Sequence, residues 1–246
     1  MIGIIGGTGL EKTGIFNLER EISFNTEFGE PSSLLSIGKI SNIECVLIRR
    51  HGEEHTITPS NVNNRANISA LKEIGCKAII ATSACGSLKE DIGRGDLVLP
   101  DQFIDFTRHR KVSFYEQFAP NNMQHTPMAD PYNEELRNII LNTANNIGIK
   151  IHKKGTVISI EGPRFSTRAE SHMFRLWGAD IINMTTAPET ILANEAGIPY
   201  ALIALSTDYD CWKTDEKPVS IYEVMRIFNQ NISKLTDLLI ETVKKL

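Results

Sequence analysis

A chain of 246 residues with 41% apolar content can bury one sizeable α/β core. Its 26 lysines and arginines against 30 aspartates and glutamates leave a net charge of −4, which argues against a nucleic-acid or membrane surface as the main partner. No apolar run reaches the ~18 residues of a membrane span, and the opening Met-Ile-Gly-Ile-Ile has no basic leader region, so a cytoplasmic protein is expected.

The four cysteines, Cys45, Cys76, Cys85 and Cys211, form no C-x-x-C pair and read as reduced structural thiols. Ile2 to Ile5 form a buried strand, and Gly6-Gly7-Thr8-Gly9 follows at once. Glycines at a strand end let backbone N–H groups approach an anion, and Thr8 adds a hydroxyl. A dinucleotide fingerprint needs a helix next, whereas LEKTGIF has no amphipathic period, so a phosphate loop is favoured over it. Glu44 to Arg49 form a strand ending in Arg49-Arg50-His51-Gly52-Glu53-Glu54-His55. The last five match an H-x-x-E-H zinc pattern, which works only on a helix, and glycine directly after a strand opposes one. No metal is expected. Arg50 and His51 better suit an oxyanion, with arginine supplying a planar fork of donors.

Ser60 or Asn61 is expected to cap a helix running to Ile74 with Gly75 behind it. Ala78 to Thr82 read as a strand buried on both faces, ending in the small-residue turn Ser83-Ala84-Cys85-Gly86-Ser87. Cys85 has no assignable partner base and reads as a packed small hydrophobe. After a short strand at Leu97 to Leu99, residues Asp101 to Met128 lack a regular pattern, and Arg108, Arg110 and Lys111 read as solvated. A loop this long is usually functional; His125 lies in it, just before Pro127.

Asn133 to Ile147 form an amphipathic helix. Val157 to Ile160 are a strand that runs into EGPRF. Thr167 and Glu170 form a capping box, and Thr186 and Glu189 a second one, which sets Thr185 beside a helix N-terminus where an anion is favoured. Tyr200 to Leu205 are a buried strand leading to Asp208-Tyr209-Asp210, and Ser220 with Glu223 cap a long core-facing helix.

Three polar knots, at Glu161 to Phe165, Asn183 to Glu189 and Ser206 to Trp212, therefore fall at strand ends, where α/β proteins place ligands. One phosphate accounts for donors at Gly6 to Thr8, Arg50-His51, Ser83-Ala84 and Thr185. Phe165 offers a face to a base or sugar. Asp208 and Asp210, two residues apart, point the same way if the strand continues through them. Carboxylates that close resist joint ionisation, so one is expected to keep its proton. A neutral carboxyl donates to a ring nitrogen while an ionised one accepts from an amino group, as the N7 and 6-amino edge of adenine requires.

GGTGL, RRHGEEHTITPS followed by VN, ACGSL, EGPRFSTRAES, NMTTAPE and TDYDCW resemble, in order and spacing, the trimeric purine nucleoside phosphorylases, in the branch that acts on methylthioadenosine. The resemblance spans essentially the whole chain. It implies one α/β domain over residues 1–246, with a mixed, partly barrel-like sheet flanked by helices, assembled as a homotrimer or a dimer of trimers. It implies phosphorolysis of S-methyl-5′-thioadenosine to adenine and 5-methylthioribose 1-phosphate, within purine and methionine salvage. Phosphate would be a co-substrate bound by Thr8, Arg50, His51, Ser83, Ala84 and Thr185, with no metal or organic cofactor. Met184 would lie under the ribose and Phe165 beside the purine. Asp208 would donate to N7, and Asp210 would hold the 6-amino group. Ser166, Ile221 and Val224 match positions that shape specificity, with His125 reaching in from a neighbouring subunit. The rival reading is a phosphorylase of 6-oxopurine nucleosides or of methylthioinosine, whose oxo group needs a donor rather than an ionised acceptor.

Overall fold

The computed structural model describes residues 1–6, 14–216 and 219–246. Strand β1 (Ile2–Gly6) is buried throughout and lies parallel between β4 (Ile43–Arg49) and β5 (Ala78–Ser87). Two antiparallel strands, β2 (Asn17–Ile22) and β3 (Leu35–Ile40), extend the sheet beyond β4. NLEREI, the sequence of β2, is largely exposed, and its charges suit a sheet edge better than a core.

The remaining strands are β6 (Leu97–Val98), β7 (Gln102–Phe106), β8 (Ile151–His152), β9 (Thr156–Ile160), β10 (Ile181–Asn183) and β11 (Tyr200–Asp208). The sheet branches at β5. Strand β1 bonds to its first half, β10 runs antiparallel to its last two residues, and β11 follows the opposite edge from Ile79 to Gly86. From β10 the sheet continues to β9 and β7, and from β11 to β6 and β8.

Helices cover both faces, which is why the central strands are apolar without alternation. On one face α1 (Asn64–Glu73) and α4 (Thr186–Ala196) bring Ile68, Leu71, Leu192 and Ala196 against Ile79, Ala81 and Leu202. On the other, α2 (Glu134–Asn146) and α5 (Ile221–Val243) bring Leu136, Ile140, Phe228, Leu235 and Leu239 against Ile80, Ala201 and Ile203. Burying one such side chain contributes about 1.5–3 kcal/mol. The shorter α3 (Arg168–Leu176) packs Phe174 against Ile158 and Ile182. Its capping box is present as the sequence predicts, with Thr167 and Glu170 each bonding the other's backbone. None of the described helices is long and apolar enough to cross a membrane.

Four local expectations are corrected. Residues Pro59–Asn61 form a separate 3-10 turn, and the cap of α1 is Asn63, whose side chain accepts from the Ala66 N–H. Ser83 to Ser87 are not a turn; β5 runs on through them, because β11 pairs with it as far as Gly86. The segment after Asp101 begins with a true strand, β7, held by parallel pairing to β9. Arg110 is not solvated: its side chain is buried and bonds Glu161 through both carboxylate and carbonyl.

Candidate active site

A cavity of about 470 Å³ opens where β4, β5, β10 and β11 end, within the usual range for small-molecule sites of about 300–1,000 Å³. One end is built for an anion. Arg50 follows β4 directly and is fully buried, its N–H tied to the Gly6 carbonyl at 3.0 Å. Its Nε and Nη2 meet the two carboxylate oxygens of Glu189, which is also fully buried. Its Nη1 donates to the Thr82 carbonyl at 2.9 Å. A guanidinium carries five N–H donors, so among the described residues two of them have no partner. Burial opposes the charge, but Glu189 outweighs it and raises Arg50 above the ordinary arginine range.

His51 stands next to it on the wall. Its Nδ1 lies 2.9 Å from the Ile57 carbonyl, so that nitrogen carries the proton and Nε2 is left as an acceptor. Burial, reinforced by the charge of Arg50, pulls the imidazole down to about 4. His51 is therefore neutral at pH 7 and suits an anion oxygen that still bears a proton. The segment from His51 to His55 is a turn rather than a helix, with the two rings 4.4 Å apart and His55 at a φ of +58°. Among the described residues no cluster of three or more potential metal ligands exists.

Ser83 and Ala84 enter the wall from within β5. Thr185 is the N-cap of α4 and its hydroxyl makes no capping bond. Asn183 beneath them receives the Ser159 hydroxyl at 2.8 Å and donates to Thr186 at 2.8 Å, which fixes the start of the helix. The expected box between Thr186 and Glu189 is absent, because Glu189 turns inward to Arg50. Thr8 lies outside the described residues.

The other end carries the paired carboxyls. The strand stops at Asp208, so the two aspartates are not strand neighbours; Asp210 sits in the following turn at a φ of +49°. The Asp210 N–H donates to Asp208 Oδ1 at 2.8 Å, and the Thr207 hydroxyl reaches Oδ2 at 2.8 Å. Burial first, with Asp210's charge adding less, pushes Asp208 up to about 6. Mutual repulsion is thus the smaller cause of the rise. Both oxygens of Asp210 lie 2.8 Å from the Ser166 hydroxyl, which fixes the carboxylate plane. Gly86 makes room here, since a Cβ on it would come 2.8 Å from Asp208 Oδ1.

Between the two ends the wall is apolar, made by Ile160, Pro163, Ile182 and Met184. Gly162, at a φ of +65°, lies where a Cβ would meet the Met184 sulfur at 2.5 Å. Phe165 is half-exposed at the rim, with Ile221 and Val224 from the first turn of α5. His125 is exposed, edge-on to Phe118, and outside the cavity of its own chain. Cys85 is buried with its thiol pushed well up by burial, so it is no nucleophile. Glu189, Tyr200 and Asn183 were not legible as site residues; Glu189 and Tyr200 read as a helix cap and a core residue.

An anion pocket, an apolar waist and a carboxyl pair match the parts of a nucleoside phosphorolysis site. The phosphorylase superfamily pattern matches residues 1–244. The chain belongs to that superfamily. It is 50% identical to S-methyl-5′-thioadenosine phosphorylase of Danio rerio, over 100% of this chain and 88% of that protein. It is 51% identical to the Xenopus tropicalis protein of the same name, with the same shares covered. The superfamily fold is shared as well. Methylthioadenosine phosphorylase from Schistosoma mansoni, solved with adenine, superposes with a TM-score of 0.93 at 41% identity, over 99% of this chain and 90% of that one. A variant of that phosphorylase, solved with methylthioadenosine, gives a TM-score of 0.92 at 41% identity over the same shares.

Proposed function

We propose that the chain, as one domain over residues 1–246, catalyses phosphorolysis of S-methyl-5′-thioadenosine to adenine and 5-methylthioribose 1-phosphate. The observation that carries this reading is the cavity's polarity: a charged, anion-accepting end faces, across an apolar waist, a buried carboxyl whose hold on its proton is raised to about 6. Arg50, His51, Ser83, Ala84 and Thr185 hold phosphate, with Thr8 completing the set. Met184 supports the ribose, and Phe165 covers the purine. Phosphate oxygen bonds to C1′ as the C1′–N9 bond breaks and its electron pair passes to the base. Asp208 gives its proton to N7, and Asp210 accepts from the 6-amino group. The acceleration comes from holding the nucleophile in line and neutralising the departing base. Phosphate is the co-substrate, and no metal or organic cofactor takes part.

Adenine release is expected to stop when phosphate is omitted, because among the described residues the end opposite the carboxyls is built to bind an anion and offers no activated protein nucleophile. Release of adenine at an undiminished rate in phosphate-free buffer, followed by absorbance, would make the chain a hydrolase. Running inosine alongside tests the 6-oxopurine alternative.

The working unit is a homotrimer in the cytoplasm. All four cysteines are free, which suits a reducing compartment. The exposed Tyr115, Phe118 and Met123 on the segment bearing His125 supply an apolar contact surface. In that assembly Ile221, Val224 and a neighbour's His125 shape the end that receives the 5′ substituent, while Ser166 bears on specificity for the base through Asp210. His125→Ala should raise KM for nucleosides with an apolar 5′ group several-fold and leave the phosphate KM unchanged. Light scattering that shows a fully active monomer would remove both claims.

A further inference from the structure

Glu189 touches neither face of the cavity, yet it is a fully buried carboxylate on the first turns of α4 that meets two guanidinium nitrogens of Arg50. Tyr200, 1% exposed on β11, donates its hydroxyl to the same carboxylate at 2.8 Å. Such a fork-to-fork pair fixes both the plane and the rotation of the guanidinium. The third bond, to the Thr82 carbonyl at 2.9 Å, comes from the residue just before Ser83 on β5. One guanidinium thus ties together three elements that carry anion contacts: the end of β4, the middle of β5 and the start of α4.

We propose that Glu189 is a positioning residue for phosphate: it turns Arg50 so that the two N–H groups left over by Glu189 and Thr82 face the anion, and Tyr200 locks it in that setting. This rests on the phosphorolysis reading above. An arginine without these partners is free to change rotamer, whereas the bonds to Glu189 and Thr82 hold this one in the wall it shares with Ser83 and Thr185. The carboxylate also formally cancels the positive charge that a dianion would meet, so the arrangement trades raw attraction for geometry. It therefore favours an oxyanion of one shape over anions in general.

Three variants test it. Glu189→Gln keeps the volume but opposes an amide N–H to a guanidinium N–H; Glu189→Asp keeps the charge and withdraws it by one methylene; Tyr200→Phe removes only the lock. The first two are expected to raise the phosphate KM by roughly ten- to a hundred-fold, because they disturb the fork that orients Arg50 directly, and Tyr200→Phe by about a few-fold, because it removes one support behind that fork. The KM for the nucleoside at saturating phosphate should stay within two-fold. Calorimetric titration with inorganic phosphate alone supplies a readout independent of turnover, and its Kd should move with the KM. If Glu189→Gln does not fold, Glu189→Asp and Tyr200→Phe carry the test. The proposal is overturned if phosphate Kd and KM are unchanged in the folded variants while only the amount of active protein falls, the mark of a purely structural pair. Wild-type protein that binds phosphate yet releases no adenine from methylthioadenosine would count against the activity, not against this role for Glu189.

Discussion

Asp208→Asn is expected to lower kcat for methylthioadenosine by roughly a hundred-fold or more, the usual worth of a positioned general acid, while changing KM little. The amide fits without disturbing its neighbours. Its oxygen can still accept from the Asp210 N–H, and the Thr207 hydroxyl, which lies 3.1 Å from the Cys85 carbonyl, can donate there and accept from the new amide. What is lost is the transferable proton. Selectivity should shift too: an amide N–H meets a 6-oxo edge better than a carboxylate does, so inosine should gain on adenosine by about ten-fold, the worth of one buried polar mismatch. The pH profile supplies a second reading. Because burial pushes Asp208 up to about 6, the protonated enzyme prevails below that value. With phosphate ionisation accounted for, kcat/KM of the wild type should fall above about pH 6, and the Asn variant should lack that limb. The same shift has a sign in stability. A carboxyl whose folded value lies above the unfolded 3.8 contributes stability that is full below 3.8 and lost as pH rises through about 6. The Asn variant should thus gain in Tm over the wild type as pH rises from about 4 to about 6. Identical pH profiles for kcat/KM and Tm in the two proteins would remove Asp208 from the proton-donor role.

Arg50→Met should be the most destabilising change at the site. It removes the partner of Glu189, which is 0% exposed, and breaking one member of a buried pair costs about 3–5 kcal/mol. Phosphate binding should vanish from calorimetry as well. The two effects separate in Arg50→Met with Glu189→Gln, where no unpaired carboxylate remains and the Tyr200 hydroxyl can still donate to the Gln oxygen. That double variant should recover most of the urea midpoint and none of the phosphate affinity. An unchanged midpoint in the single variant would mean that the pair contributes nothing to the fold.

Much of this site could be read from residue order, since its parts fall where apolar runs stop. Thr167-x-x-Glu170 behaves as its local chemistry dictates, because among the described residues the charged group that bonds Glu170 is its neighbour Arg164. Thr186-x-x-Glu189 carries the same signature and did not. There a buried guanidinium 139 residues earlier in the chain outbids the helix end for the carboxylate, and nothing local records it. Ser83 to Gly86 read as a turn because small residues favour one, yet pairing with β11 overrides that preference. Asp208 and Asp210 were rightly joined for the wrong reason. The spacing suggests two strand neighbours, whereas Asp210 lies past the strand in a left-handed conformation and turns its own N–H onto the Asp208 carboxylate.

The continuity of β5 through Ser83 and Gly86 has a metric consequence. Ser83 stands at the anion pocket and Gly86 under Asp208, and at about 3.3 Å per residue their separation along the strand is about 10 Å. That interval is set by main chain paired to β11 throughout and to β10 at Gly86, not by side chains or by a hinge. The protein thus carries a fixed gauge between the attacking oxygen and the proton that leaves with the base. A bicyclic base seated at the carboxyl end brings its anomeric carbon within range of the pocket at the other. A monocyclic base gripped at the same end would leave that carbon short of the mark, so uridine is expected to release no base under conditions where methylthioadenosine does.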